Sequence, residues 1–452
     1  MTMRRFARAA VTSTAAVLLM AHAALAQTSV QIPLQLDFVN PGARSLAMGG
    51  AFAGLADDAT AGFANPAGLR ELGRPEFSIE LRGRWLESSF LERGRLSGRA
   101  SGEGTDVIDG PQLGTSRDDS ARVPYASVVF PRARQGWVIA AFRHELARVD
   151  QRYFSEGVFQ QDPAELTARR DVPQEGVRSI SITGYGAAVA WEVTPRIAIG
   201  GTANLYGFDM TSVFRRFDVN GFFGEAVRTV ELGRATQTGS DVAFAPTIGL
   251  RGCFKPCADR ARASTRVGVV YRHGPSFDYD TQDGDAFRRN VFRLPHVVAG
   301  GVAVEVPRPG RRWLLTGEVK WVGYSRLFDD FIEDQALSTN VEDRLRLDNG
   351  VELHVGLQYT IETMRWIPQL RLGGWLDPDH SVAFVPGQPA DHPAIRLRDE
   401  KLAIALSTGR RRAHVSGGVG FTFSPDLEWN LGVDVAADTV SLSTSAILRF
   451  GS

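Results

Sequence analysis

The most constraining feature of this chain is a two-residue alternation of apolar and polar side chains that recurs along most of its length. From Val351 to Ile361 the odd positions are apolar and the even positions are polar or small. The segment Trp429–Val435 repeats the pattern, and so does Val440–Phe450 with Thr444 and Ile447 as exceptions. Successive side chains of a β-strand point to opposite faces, whereas a helix would need a 3.6-residue spacing. The alternation therefore predicts an all-β protein.

The polar faces of these strands carry charged residues that a soluble β-sandwich would not turn towards its core. Glu318, Lys320, Glu352 and Arg371 are examples. In a transmembrane barrel the polar face lines the lumen and the apolar face contacts lipid, so charges on the inner face are expected. The composition of the strands therefore favours a barrel over a sandwich.

The connections between strands also indicate a barrel. About fourteen strands can be placed after Glu76, and short turns alternate with long polar connections. The short turns lie at 131–135, 193–196, 307–311 and 424–427, and the long loops at 87–121, 147–177, 210–240, 275–292, 325–346 and 377–410. Outer-membrane barrels combine short periplasmic turns with long external loops, and all eight tryptophans lie near predicted strand ends, as two interfacial belts require. These features predict a 14-stranded antiparallel transmembrane β-barrel.

The first 26 residues have the pattern of an export signal. Arg4, Arg5 and Arg8 precede an apolar run, and Ala24-Leu25-Ala26 is a cleavage site of small residues, so the mature chain is expected to begin at Gln27. Three of the 51 basic residues and none of the 51 acidic residues lie in this signal, which leaves 48 basic and 51 acidic residues. This balance argues against a nucleic-acid partner. No later run of 18 apolar residues is present, so no transmembrane helix is predicted.

The segment from Asn40 to Leu69 differs from the strands that follow it. It is rich in small residues and contains no long aliphatic run. Such a segment cannot form a core of its own, so we expect it to lie inside the barrel.

The chain resembles the FadL/TodX family of outer-membrane transporters for hydrophobic compounds. The resemblance is carried by GARSLAMGGAFAGLADDATAGFANPAGL at 42–69, RVGVVYRHGPSFDYD at 266–280 and GVGFTFSPDLEWNLGVDV at 418–435. It implies three parts, which are a signal peptide at 1–26, an N-terminal lumenal hatch at 27–75 and a transmembrane barrel at 76–452. It also implies that Asn65, Pro66 and Ala67 form the hatch turn that gates the lumen. The family's lateral opening depends on a kink in the third strand, but Trp137–Leu146 contains no internal Gly or Pro, so no kink can be placed there.

Other candidate residues have simpler interpretations. Asp57 and Asp58 are expected to contact the hatch or wall, either by pairing with a lumenal arginine or by capping a short helix. Cys253 and Cys257, the only cysteines of an exported chain, are a candidate disulfide that staples a periplasmic turn. No catalytic set, metal site or cofactor motif is recognisable, and the chain is predicted not to be an enzyme.

Two functions are compatible with these observations, and so is a third interpretation, a plugged structural barrel that transports nothing. The first is passive uptake of long-chain fatty acids or other hydrophobic compounds across the outer membrane of a Gram-negative bacterium, with lateral release into the bilayer. The alternative is a PorV-like barrel that acts in protein secretion or surface attachment, because such barrels share the small-residue segment and the Asn-Pro-Ala turn. The expected partners are a hydrophobic small molecule, outer-membrane lipid and the barrel assembly machinery, and we expect a monomer.

Overall fold

The computed structural model describes residues 36, 38–95, 112–132, 136–162, 167–170, 173–219, 226–254, 262–283, 285–328, 344–385, 387, 403, 406 and 409–451. The predicted signal peptide and the start of the predicted hatch therefore lie outside the described residues. Among the described helices, none is long and apolar enough to cross a membrane.

The alternating segments form β-strands, as predicted. In chain order, the strands of the described residues are β1 (Glu76–Arg95), β2 (Gln112–Arg132), β3 (Trp137–Ser155), β4 (Gly157–Asp162), β5 (Thr167–Arg170), β6 (Gln174–Thr194), β7 (Ile197–Val219), β8 (Ala226–Cys253), β9 (Ser264–Arg272), β10 (Ser276–Asp283), β11 (Ala286–Arg293), β12 (Val297–Arg308), β13 (Arg311–Val322), β14 (Leu345–Arg346), β15 (Gly350–Ile361), β16 (Ile367–Asp377), β17 (Ala383–Phe384), β18 (Arg412–Ser424), β19 (Leu427–Val435) and β20 (Thr439–Arg449).

These strands close into an antiparallel barrel with fourteen strand positions, which confirms the predicted fold class. We call each strand position a stave, because two of them consist of two consecutive strands. The strands β9 and β10 form one stave and β11 and β12 form the next, each interrupted by three residues. The barrel closes where Glu76–Leu86 of β1 pairs with Thr439–Arg449 of β20. The hairpin β4–β5 is attached to the same sheet through a short parallel pairing of β4 with the end of β1, whereas β14 and β17 form a separate two-stranded sheet.

The ends of the staves differ from the prediction. The prediction that 87–121, 147–177, 210–240 and 275–292 are loops is wrong, because β1, β2, β3, β6, β7 and β8 continue into the first three segments and β10 and β11 form most of the fourth. These extensions contain many polar residues, but they still turn apolar side chains such as Phe90, Val149 and Met210 inwards. The short turns are confirmed where they are described, as at Pro309-Gly310, where Gly310 adopts a φ of 72°.

The outer face is apolar and the inner face is mixed. Val351, Leu353 and Val355 are exposed on the outer face, whereas Glu318, Lys320 and Glu352 are buried on the inner face. The prediction for one tryptophan was wrong. Trp375 points inwards and stacks on His414, with ring centroids 3.8 Å apart, so it does not belong to an interfacial belt.

The N-terminal segment, defined here as residues 38–75, packs against the inner face of the barrel. It contains helix α1 (Ala43–Ala47), helix α2 (Ala61–Ala64) and a 3₁₀ helix (Pro66–Glu71). All three are short and almost fully buried, with small residues predominating. The expectation that this segment lies within the barrel agrees with these contacts.

Candidate functional site

The N-terminal segment rests directly on the backbone of one side of the barrel. Inward-facing glycines make this approach possible, because a Cβ at each would lie only 2.1 to 2.8 Å from an atom of the segment. These glycines are Gly200, Gly249, Gly268, Gly301, Gly356, Gly373, Gly418 and Gly432, on strands β7 to β19. On the opposite side, larger side chains separate the segment from the wall. Tyr125 and Ser127 of β2, for example, both donate to the carbonyl of Ala59, at 2.9 and 3.1 Å.

The predicted hatch turn, Asn65-Pro66-Ala67, is fully buried against this glycine surface. The Asn65 side chain accepts from the backbone N–H of Ala67 at 3.2 Å, which caps the 3₁₀ helix, and Pro66 occupies the first turn of that helix. The side-chain amide of Asn65 also donates to Ala53 O at 2.9 Å and to Leu250 O of β8 at 3.2 Å. The turn therefore joins two parts of the N-terminal segment to the barrel wall.

Asp57 links the segment to the wall by ion pairs. Its carboxylate lies 2.6 Å from the Arg44 guanidinium and 3.2 Å from that of Arg266 on β9. Burial alone would raise the pKa of Asp57, but Arg44 and Arg266 outweigh this effect and lower the pKa to about 2. Asp57 therefore remains ionised at physiological pH and holds both arginines.

Asp58 has a local structural role. Its carboxylate accepts from the backbone N–H of Thr60 at 2.9 Å and from the Thr60 hydroxyl at 2.6 Å, just before helix α2. Burial raises the pKa of Asp58, and Arg44 opposes this increase. Asp58 also lies 3.5 Å from the Arg44 guanidinium, so both acidic residues pair with Arg44. Asp58 bonds to Thr60, the residue that precedes helix α2, and does not cap an N–H group of the helix itself.

Two charged wall residues also hold the segment, and of these the sequence analysis named only Glu318, as an inward-facing charge. Glu318 accepts from the backbone N–H groups of Phe52 and Ala53, at 2.8 and 2.7 Å. Arg272 donates to the carbonyls of Phe63 and Ala64, at 3.2 and 3.1 Å. These contacts satisfy buried backbone groups that the short helices leave without partners. The alternation identified the inward direction of these side chains but not their partners.

Apolar side chains fill the barrel interior between the N-terminal segment and the long-loop end. We call this packed cluster the apolar chamber, which is filled by its own side chains in this conformation. Phe208 of β7 stacks on Phe277 and Phe292, with ring centroids 4.8 and 5.4 Å apart. Leu36 and Phe38 belong to the same buried cluster. The other inward residues that line it include Ile180, Ile182, Met210, Tyr279 and Leu294. The inner face is therefore polar around the N-terminal segment and more apolar above it, where the buried Arg412–Asp377 ion pair lies beside the apolar cluster.

The barrel wall is interrupted between β2 and β3. Residues 125–132 of β2 pair with residues 137–144 of β3, but above this point each described strand pairs only with its other neighbour. Two β-bulges face each other there. An extra residue at Val123-Pro124 shifts β2 against β1, and an extra residue at Leu146 shifts β3 against β6. Bulges bend strands and disrupt pairing, so this pair of bulges accounts for the divergence.

We call this interruption the window, bounded by residues 119–124 of β2 and 145–149 of β3. Side-chain contacts close it above, where Ser116 donates to Arg152 O at 2.9 Å and Asp118 accepts from Asp150 N at 3.1 Å. The Arg122–Glu145 ion pair crosses it at 2.6 Å. No Gly or Pro within the third strand marks the position of its bulge. The sequence signal for the interruption is Pro124 in the neighbouring strand β2, because proline has no backbone N–H to donate to a ladder.

A cavity of about 90 Å³ lies between the window and the N-terminal segment. Phe38, Leu46, Pro124 and Leu146 supply apolar lining, and arginines, Lys320 and Glu352 supply charge. The space is large enough for several water molecules but not for a long chain. The window is therefore nearly closed in this conformation.

The remaining predicted residues give less information. Cys253 ends β8 and is disulfide-bonded, but Cys257 lies outside the described residues, so their pairing stays a prediction. No group of three or more metal-ligating side chains occurs within the described part of the chain.

Comparisons with known proteins match the fold. No protein-family model matches the chain, and no curated protein sequence matches it. A FadL homologue from Pseudomonas aeruginosa has a similar structure, with a TM-score of 0.54 and 11% identity, over 93% of this chain and 100% of that one. A deletion mutant of the TodX monoaromatic hydrocarbon channel matches with a TM-score of 0.52 and 13% identity, over 92% and 100%. The chain therefore has the fold of the FadL and TodX barrels, and the resemblance read from the sequence is confirmed at the level of the fold.

Proposed function

We propose that this protein is an outer-membrane channel through which hydrophobic compounds, including long-chain fatty acids, enter the cell passively. The observation that carries the proposal is the juxtaposition of an apolar chamber, a gap in the barrel wall and a buried N-terminal segment beneath both. An open aqueous pore would need a polar interior along its whole length. The fold shared with the FadL homologue and TodX supports the same class of function.

The path runs from the external loops to the chamber and then sideways through the window. Each CH₂ group kept from water is worth about 0.8 kcal/mol, so an apolar route into the bilayer is downhill for a hydrocarbon chain. The N-terminal segment acts as a hatch below this route. The segment contacts the wall glycines directly, and its residues Asp57 and Asn65 bond to Arg266 and Leu250 of the wall. These contacts support a fixed floor that directs the ligand to the window.

The closed conformation also fits this proposal. Leu36 and Phe38 occupy part of the apolar chamber, and the cavity beside the window is small. Displacement of these two side chains by a ligand would connect the chamber to the window. Because β1 pairs with β20, a single chain completes the barrel, which supports a monomer.

Uptake by a deletion strain tests the proposal. Cells that lack the gene and cells that carry it on a plasmid receive radiolabelled oleate and, separately, radiolabelled toluene. We expect faster uptake of at least one compound in the complemented cells, both with and without an uncoupler, because no energy source is required. If the two strains take up each compound at the same rate, the proposal is contradicted and the secretion alternative is favoured. A comparison of the surface proteins of the two strains would then test that alternative.

A further inference from the structure

The outer face of the barrel carries a furrow below the window. Five outward residues pair in register across neighbouring strands and form one row perpendicular to them, and three of the five are alanine. The row consists of Val128, Ala141, Ala187, Ala203 and Pro246, on strands β2, β3, β6, β7 and β8. The rows on either side carry larger side chains on most strands. Tyr185, Leu205 and Phe244 lie above it, and Ile139, Val189 and Ile248 lie below. The exceptions are Ala126 in the upper row and Gly201 in the lower row.

This difference in side-chain size creates an elongated apolar depression. Neighbouring strands lie about 4.8 Å apart, so four steps give the furrow a length of roughly 19 Å. A depression of about 530 Å³ is lined by four residues of this row, all except Pro246, and by Ala126 of the row above. Phe77 and Phe244, on β1 and β8, are its lining residues on the two outermost strands. Barrel strands tilt by about 40°, so a row perpendicular to them runs obliquely through the membrane. A single extended hydrocarbon chain matches this shape.

A charged residue lies between the furrow and the window. Arg143 belongs to the outward face of β3 and pairs with Tyr185, in the row directly above Ala141 and Ala187. Its guanidinium donates to the carbonyl of Val123, at the bulge that forms the lower edge of the window. Among the described residues, no carboxylate forms an ion pair with it.

The depth of Arg143 is unusual for a charge on this face. It lies six residues along β3 from Trp137, which corresponds to about 20 Å along the strand and about 15 Å of height at a 40° tilt. The apolar band of a barrel is about 25 Å tall, and an arginine on its lipid face is most destabilising near mid-depth. An anionic ligand at this point would offset that cost.

We propose that Arg143 and the furrow form an external receiving site for an amphipathic carboxylate that has just left the window. This inference rests on the proposed lateral release. The carboxylate pairs with the guanidinium, and the hydrocarbon chain lies along Ala141, Ala187 and Ala203. A resident phospholipid fits less well, because its headgroup stays at the membrane surface while Arg143 lies near mid-depth. The site therefore selects fatty acids over uncharged hydrocarbons at the exit step.

Uptake measurements with matched variants test the site. Arg143→Gln removes the charge, Arg143→Lys retains it, and Ala187→Leu fills the furrow. Ala413→Leu is the control, because Ala413 is an exposed outward alanine on β18, outside the furrow. We expect Arg143→Gln to slow oleate uptake by about tenfold, equivalent to about 1.4 kcal/mol, and Arg143→Lys to restore most of it.

Toluene distinguishes this site from a general defect. Toluene has no carboxylate and is too short to need the furrow. Its uptake should therefore be unchanged in both Arg143→Gln and Ala187→Leu, whereas Ala187→Leu should slow the uptake of oleate. Equal slowing of both compounds, or no effect on oleate, would overturn the inference. These outcomes leave the proposed function intact, which fails only if the unaltered protein imports neither compound.

A photoreactive probe identifies the source of the bound chain. Palmitate with a diazirine near its methyl end is added outside proteoliposomes, and adducts are mapped by mass spectrometry. Adducts at Tyr185, Leu205 or Phe244 are expected, together with their loss when deletion of Leu146 removes the bulge beside the window. Equal labelling after this deletion would show that the chain arrives from the bilayer, and the inference would be wrong.

Discussion

At the scale of single residues, close backbone contact explains why glycines line one side of the barrel interior. A Cβ on Gly249 would lie 2.1 Å from the Asn65 side-chain oxygen, and a Cβ on Gly268 would lie 2.1 Å from Ala53 O. Both positions belong to strands, where glycine is intrinsically unfavourable. Their cost is offset by the direct contact that they allow between the wall and the Asn65 turn.

Gly249→Ala is expected to displace the Asn65 turn. The added methyl group overlaps a buried side chain, and overpacking of this kind costs about 1–3 kcal/mol. Guanidinium unfolding in detergent micelles measures the loss of stability. The control is Gly300→Ala, because a Cβ there has no neighbouring atom within 4 Å. Equal stability of the two variants would contradict the assigned contact.

Asp57→Asn is expected to weaken the link between the N-terminal segment and Arg266, in a pH-dependent way. The pKa of Asp57 falls from 3.8 to about 2 in the folded protein, so its stabilising contribution is complete above about pH 4 and is lost as the pH falls towards 2. The shift corresponds to about 2 kcal/mol.

The difference in unfolding free energy between Asp57→Asn and the unaltered protein should therefore be constant at neutral pH and decrease in acid. As a control, Asp278→Asn removes an exposed ion pair with Arg289 and should cost less than about 1 kcal/mol. A difference that grows on acidification would show that the assigned charge state of Asp57 is wrong.

At the scale of secondary-structure elements, the hairpin β10–β11 extends the barrel above a break in two staves. Residues 273–275 and 294–296 interrupt the strands at the same height, while the pairs below them, Arg272 with Val297 and beyond, remain in register. Phe277, Tyr279 and Phe292 of this hairpin cover the apolar chamber. The hairpin also pairs with β8 through Asp280–Asp283. It therefore extends the barrel wall and contributes to the chamber, while the barrel below it is closed by the pairing of β9 with β12.

Replacement of residues 276–293 by an Asn-Gly turn is expected to leave the barrel folded and to weaken ligand binding. The lower pairing of β9 with β12 does not depend on the hairpin, and an Asn-Gly sequence forms a tight hairpin turn. Heat-modified gel mobility checks the fold. Titration with a fluorescent fatty acid should give a Kd about tenfold higher, and an unchanged Kd would exclude the hairpin from the binding site.

At the scale of the whole molecule, strand period, loop asymmetry and the N-terminal segment were sufficient to predict a fourteen-stranded barrel with material inside it. Contacts between distant strands could not be predicted. The window needs bulges at Val123-Pro124 and Leu146 in adjacent strands, and only Pro124 is visible in the sequence as a local signal. Likewise, the outward alanines of the furrow form a row only after the register of five strands is known.

The central claim is that a hydrophobic ligand leaves the barrel sideways through the window, and deletion of Leu146 tests it most directly. Glu145 pairs with Thr183 and Ala147 pairs with Ile182, so removal of the one residue between them restores a continuous β3–β6 ladder and straightens the strand. The measurement is the initial rate of radiolabelled oleate uptake in a deletion strain that carries either form, at equal levels of folded barrel. We predict that the rate falls to near that of the empty strain, whereas an unchanged rate would show that the ligand does not use the window.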